Sequence, residues 1–187
     1  MEKCKLTMSI NNGERARQMD TNQRLEAVIQ QAKHGNIVVR KAVQDDMTEV
    51  AKVFKQSRTE ALPYLPDLHT PEEDVDYFTN VVFLNDQVYL AEDSTTRKIV
   101  GFIAFNHLFV DHLYLLSEAT GQGTGAALLE LAKDSTESLR LWVFQKNQNA
   151  IRFYQQNGFS VIKETDGSYN EEKEPDALMQ WHKFVTV

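Results

Sequence analysis

The chain has 187 residues, of which 42% are hydrophobic, with a formal net charge of -7 and a single cysteine, Cys4. That size suits one domain with an appendage, and one cysteine excludes an internal disulfide and a cysteine-based zinc cluster. The acidic balance argues against nucleic-acid partners held by broad phosphate neutralisation, and no apolar run approaches the roughly 20 residues of a membrane span.

Met1–Ile10 lacks the apolar core of a signal peptide, which predicts a cytoplasmic protein with Cys4 as a free thiol. Residues 1–13 are polar and unpatterned. Residues 14–34 predict an amphipathic helix with Leu25, Val28, Ile29 and Ala32 on one face and Gly35 as its cap. We read 1–36 as an N-terminal extension and 37–187 as the domain. The extension's helix could pack on the domain, pack on a second copy in a homodimer, or lie loose outside the fold. Ile37–Ala42 reads as a strand and Asp45–Ala61 as a helix burying Met47, Val50, Ala51 and Phe54, broken by Pro63 and Pro66. Thr70, Pro71 and Glu73 supply an N-cap, a first-turn proline and a capping box for a helix reaching about Leu84. Gln87–Glu92 and Lys98–Asn106 alternate as strands around a polar turn, and Val110–Leu116 is a fourth strand. A helix to about Lys133 follows, then a strand at Leu139–Phe144 and a short helix at Asn149–Asn157 stopped by Gly158. Strands at Phe159–Thr165 and Ala177–Val185 flank the acidic loop Asp166–Asp176. This order predicts a mixed α/β layer rather than a doubly wound sheet.

The most distinctive stretch is Leu113-Tyr-Leu-Leu-Ser-Glu-Ala-Thr-Gly-Gln-Gly-Thr-Gly125, which runs from an apolar strand into the helix at Ala126. Gly121, Gly123 and Gly125 leave backbone N–H groups uncovered at a helix N-terminus, where they lack intrahelical partners and sit at the positive end of the dipole. That arrangement binds phosphate. A P-loop would need Lys-Ser/Thr after the last glycine, and Ala126-Ala127 stand there instead. A dinucleotide fingerprint would need Gly-x-Gly-x-x-Gly and an acid ending the next strand, but the glycines alternate and that strand runs into Gln145.

Two blocks resemble the GNAT superfamily of N-acetyltransferases over residues 37–184: Leu113-Tyr-Leu through Gly121-Gln-Gly-Thr-Gly125 to Leu128-Leu129, and Asn147-x-x-Ala150-x-x-x-Tyr154-x-x-x-Gly158-Phe159. Leu65–Asp74 and Asn170–Asp176 resemble segments of a group of bacterial-type members. The resemblance implies a mixed, mostly antiparallel sheet of six to seven strands flanked by helices, with parallel strands 110–116 and 139–144 splayed apart. It also implies acetyl-CoA as co-substrate, and no metal. The pyrophosphate would sit on Gly121, Gln122, Gly123, Thr124, Gly125 and Ala126. The pantetheine arm would run along Leu115, Leu116 and Ser117 at a strand bulge, beside Asn147 and Ala150. The N–H of Leu115 would polarise the thioester carbonyl. Tyr154 would be the general acid for the leaving thiolate, its alternative being a core aromatic beside Phe153. Asn147 would touch the pantetheine arm or serve as a helix-start residue. The family usually has Arg or Gln where this chain has Thr120, which removes one support of the phosphate site.

Strand alternation puts Asp111 on the face of Leu113 and Leu115, where it could accept the ammonium proton or be a solvated strand end. Some members carry a base two residues earlier, at Phe109 here. His112 and His107 read as structural, and water could replace a side-chain base. The acceptor should lie between the loop carrying Arg58, Tyr64, Asp67 and His69 and the loop carrying Glu171, Glu172 and Glu174. Their acidity suggests a cationic primary amine on a small molecule or a peptide, or else an ordinary solvated face. The function implied is direct acetyl transfer to that amine; the alternative is a non-catalytic acyl-CoA-binding module of the same fold.

Overall fold

The computed structural model describes residues 36–183; the helix expected at 14–34 and Cys4 lie outside them. Among the described residues, seven strands form two antiparallel sheets. Ile37–Lys41 (β1), Gln87–Asp93 (β2), Ile99–Phe105 (β3) and Val110–Leu115 (β4) make the first, in the order β1-β2-β3-β4. Ser138–Phe144 (β5), Ser160–Glu164 (β6) and Asp176–His182 (β7) make the second, in the order β5-β7-β6. The edge strands β4 and β5 run parallel and meet at one bridge, Phe109–Arg140, where the Arg140 N–H donates to the Leu108 carbonyl at 2.9 Å. Past that point they part, and the expected splayed pair is the seam between the sheets.

Helices Met47–Ala61 (α1), Pro71–Tyr77 (α2), Thr124–Asp134 (α3) and Gln148–Gln156 (α4) cover the two faces. The capping box of α2 is in place: Thr70 Oγ1 accepts from the Glu73 N–H at 3.2 Å, and the Glu73 carboxylate accepts from the Thr70 N–H at 2.8 Å. The sequence pattern predicts an unbroken helix to Leu84, but beyond Tyr77 the chain widens into a π-turn, Phe78–Val82, before a last α-turn, Phe83–Asn85. The wider turn keeps every fourth residue facing inward, so Asp74, Phe78 and Val82 are all buried.

Two apolar clusters result. Met47, Val50, Phe78, Leu90 and Phe102 pack under α1 and α2. Ile103 and Phe105 of the first sheet pack with Leu141 and Met179 of the second, around Leu128 and Leu129 of α3. The sheets are therefore joined by side-chain packing more than by hydrogen bonds. Leu128 and Leu129 have no exposed surface, and removing either to Ala would cost about 2–5 kcal/mol.

The register of β4 corrects one expectation. Ala104 pairs with His112 but Phe105 with Val110, so the bulge falls at Asp111 and not near Leu115–Ser117. The extra residue reverses alternation before it: Val110 faces the α3 side with Leu113 and Leu115, while Asp111 is turned towards Asn106.

Candidate active site

The glycine turn and α3 form an uncapped anion cradle. Gly123 is the N-cap, in the left-handed region at φ 81°, and the first helical bond runs from the Ala127 N–H to the Gly123 carbonyl. Among the described residues, the N–H groups from Gly121 to Ala126 donate to no protein acceptor. Gly125 is needed for close approach: a Cβ there would stand 3.3 Å from both Leu115 Cδ1 and Phe153 Cζ. Thr120 Oγ1 donates to the Ser117 carbonyl at 2.8 Å and Gln122 Nε2 to the Glu118 carbonyl at 2.8 Å, which ties both side chains back onto the turn.

β4 supplies further main-chain donors. The Leu116 N–H donates to the Val100 carbonyl at 2.8 Å, and Leu115 is paired with Gly101. Hydrogen-bonded pairs alternate along an antiparallel ladder, so the Leu113 and Leu115 N–H groups point away from β3 into the opening between the sheets. A cleft of about 520 Å³ runs from this point past Thr120, Gly121, Gly123, Gly125 and Ala126, walled by Ser57 on α1 and Phe153 on α4. A thioester on a pyrophosphate-bearing arm fits this run of unpaired N–H groups.

A second cleft, about 580 Å³, opens on the other side of the wall. Its lining includes Asp111, Trp142, Phe144, Thr165, Tyr169 and Asp176. The two clefts share Leu62, Leu113, Tyr114, Asn147, Ala150 and Tyr154. Asn147 caps α4, its Oδ1 accepting from the Ala150 N–H at 3.1 Å. Tyr154, in the last turn of that helix, packs its ring against Phe153 and Phe159. Burial, and secondarily Tyr114, raises the Tyr154 hydroxyl well above the usual phenol range. Burial likewise pushes Tyr114 up to about 12. Asp111 is raised to about 6, first by burial and then by the Asp86 carboxylate.

The structure brings Asp111, Leu115, Gly121, Gly123, Gly125, Ala126, Asn147, Ala150 and Tyr154 to the two clefts. It does not bring every expected residue there. Leu116 is buried and its N–H is spent on β3, while Thr124 is buried beneath the turn. Ser117 and Gln122 lie outside the lining. Arg58, Tyr64, His69 and Glu171 stand at the rim, outside the lining of either cleft. There Arg58 and His69 tie the end of α1 and the loop after it to the loop between β6 and β7. Arg58 pairs with Glu172 at 2.9 Å, His69 with Glu171 at 3.0 Å and Lys146 with Glu174 at 2.7 Å. Glu172 and Glu174 of the acidic loop are thus offset by cations, and the charged side chains that line the cleft without a salt bridge among the described residues are Asp111, Asp176 and Lys163. Asp176 in turn accepts from Thr165 Oγ1 and Asn170 Nδ2. His112 is enclosed by Phe54, Phe78, Phe102 and Tyr114 and is lowered to about 4 by burial, a neutral core histidine as expected. Sequence reasoning missed Tyr114 and Trp142, whose strand alternation reads as ordinary sheet. Among the described residues, no group of three or more His, Cys, Asp or Glu is placed to hold a metal, and no helix is long and apolar enough to cross a membrane.

Residues 85–161 match the family model of the acetyltransferase (GNAT) domain. A peptidyl-lysine N-acetyltransferase of Escherichia coli K12, YiaC, is 25% identical over 157 residues, which span 80% of this chain and all of the relative. The crystal structure of PaiA N-acetyltransferase from Thermoplasma acidophilum in complex with coenzyme A superposes with a TM-score of 0.60 at 24% identity, covering 79% of this chain and 99% of that one. The solution structure of apo YjaB from Escherichia coli gives a TM-score of 0.63 at 20% identity, covering 78% and 97%. These likenesses in structure bear on the fold.

Proposed function

The chain belongs to the GNAT superfamily of N-acetyltransferases, and on that premise we propose that it moves an acetyl group from acetyl-CoA directly to a cationic primary amine, with Tyr154 as general acid and Asp111 as general base. The observation that carries this reading is the shared wall: Leu113, Tyr114, Asn147, Ala150 and Tyr154 face both clefts. A thioester in one cleft and an amine in the other would meet there.

Bound acetyl-CoA would supply the acetyl group as an activated thioester. The N–H groups from Gly121 to Ala126 would hold its pyrophosphate. The outward Leu115 N–H would stabilise the charge developing on the carbonyl oxygen. An ammonium cannot attack, so the Asp111 carboxylate, raised to about 6 and ionised at neutral pH, takes its proton. The free amine would form the amide bond as the C–S bond breaks; the Tyr154 hydroxyl would protonate the departing sulfur, and the second proton shed by the nitrogen would restore the phenol. A phenol raised by burial would be a poor donor to a water-exposed thiolate. The sulfur leaves into the same buried wall, which raises its own proton affinity. No residue of the wall is a nucleophile suited to an acyl-enzyme. Aromatic surfaces on Trp142, Tyr169 and Tyr114 beside Asp111 and Asp176 suit a cation, and a peptidyl lysine, the acceptor named for YiaC, is the first to test. The transfer unit runs over 37–187, with 1–36 as an extension.

The test is thiol release from acetyl-CoA with a panel of lysine peptides and small amines, comparing wild type with Tyr154→Phe. The variant should lose about 10²- to 10⁴-fold in turnover while binding CoA as tightly. Full turnover by Tyr154→Phe would remove the general-acid role. Tight CoA binding by wild type with no amine-dependent release would point to a binding module instead.

A further inference from the structure

Asn106, in the turn between β3 and β4, uses every hydrogen-bonding position of its side chain. Its Oδ1 accepts from the N–H groups of Leu108 and Phe109, both at 3.0 Å. Its Nδ2 donates to Asp111 Oδ2 at 2.8 Å and to Asp86 Oδ1 at 3.1 Å. The two backbone donors fix the orientation of the amide, since the flipped form would aim NH₂ at N–H groups. Both amide protons must then face carboxylates. Two carboxylates share one neutral donor with no cation between them among the described residues, an arrangement that costs energy unless something is gained from it.

Asp86 follows the last α-turn after the π-turn, and lies outside the lining of either cleft. Asp111 lies on the bulge of β4 and lines the acceptor cleft. We propose that Asp86 is a positioning residue for the reaction: through Asn106 it holds the Asp111 carboxylate at the cleft and sets the pH range in which Asp111 accepts the acceptor's proton. This rests on the reading of Asp111 as the general base.

The other groups around Asp111 do not account for such an effect. Tyr77 of α2 bonds His112 Nε2 through its hydroxyl at 3.3 Å, and His112 is neutral. Lys163 of β6, Glu172 and Asp176 share the lining of the cleft, but Glu172 is paired with Arg58, Asp176 is held by Thr165 and Asn170, and Lys163 makes no hydrogen bond or ion pair with Asp111. Among the described residues Asp86 is the charged neighbour that acts on Asp111, by like-charge repulsion and by carboxyl–carboxyl hydrogen bonding beside the effect of burial. A carboxylate made more basic in this way is a stronger proton acceptor yet remains ionised at neutral pH.

Asp86→Asn in the full chain keeps an oxygen for Asn106 and removes the charge. The readouts are the ¹³Cγ titration of Asp111 and the acid limb of kcat/KM with acetyl-CoA and a blocked lysine peptide. Both midpoints should fall together by about half a unit to one unit, with CoA affinity unchanged. Asp86→Ser, which also removes the charge, gives the same reading if the amide variant folds poorly. An unmoved Asp111 titration in the charge-free variant overturns the proposal. Asp111→Asn separates this from failure of the underlying reading. If that variant keeps both turnover and acid limb, Asp111 is not the base, whatever Asp86 does to its titration.

Discussion

Asn147 performs two separable tasks with two atoms, and a pair of substitutions tells them apart. Its Oδ1 caps α4 through the Ala150 N–H, while its Nδ2 makes no bond among the described residues and stands where the two clefts meet. Asn147→Ala removes both. Loss of an N-cap costs about 1 kcal/mol, which in a protein of this size lowers Tm by about 2–4 °C. Loss of one hydrogen bond to the pantetheine arm costs about 1 kcal/mol more in binding, or about a fivefold rise in the Kd for CoA. Asn147→Asp keeps a capping oxygen and adds a negative charge at the positive end of the helix, so Tm should return to the wild-type value. It has no NH₂, so CoA affinity should stay about fivefold weak. Scanning calorimetry and isothermal titration with CoA measure the two effects. An Asn147→Asp protein that binds CoA like wild type would show that the amide touches nothing on the co-substrate. An Asn147→Ala protein with unchanged Tm would refute the capping energy.

Thr120→Arg adds a cation beside the open cradle and should tighten CoA binding severalfold at low salt, an effect that fades as salt screens it; unchanged or weaker affinity in titration calorimetry would contradict the role given to Thr120. Arg58→Ala breaks the half-buried pair with Glu172 and the 3.1 Å contact to the Pro66 carbonyl. It should cost about 1–3 kcal/mol, between the exposed and buried cases, and raise the acceptor KM while leaving the Kd for CoA alone. Equal losses in both would mean that Arg58 supports the whole domain rather than the acceptor loops.

The elements were legible because their signals are local. The Thr70–Glu73 box, the glycine turn and the strand alternation each lie within a few residues, and the observed bounds of the strands and of α1, α3 and α4 fall within about two residues of the pattern wherever residues are described. The splayed seam was legible through the two sequence blocks that flank it. What was not legible depends on partners distant along the chain. The bulge at Asp111 is set by the register against Phe105 and Ala104, which no pattern within β4 itself contains. The acidic loop looked like a charged surface for a substrate, but its carboxylates meet Arg58 and His69 more than 100 residues away. The π-turn in Phe78–Val82 leaves no signature in residue type, because it is a property of the backbone ladder and not of any one side chain.

That π-turn gives the region an unusual sensitivity to insertion and deletion. Each residue of an α-helix turns the chain by about 100°, so removing one residue between Phe78 and Val82, and with it the wide turn, would rotate the segment from Phe83 to Asp86 by about that angle. Asp86 would swing away from Asn106 although every chemical group of the cluster remained in the sequence. The reverse change, one residue gained in an ordinary helix, would be enough to swing a carboxylate into place behind the bulge. Among related chains, the length of this segment is therefore a more telling character than the identity of the residue at its end.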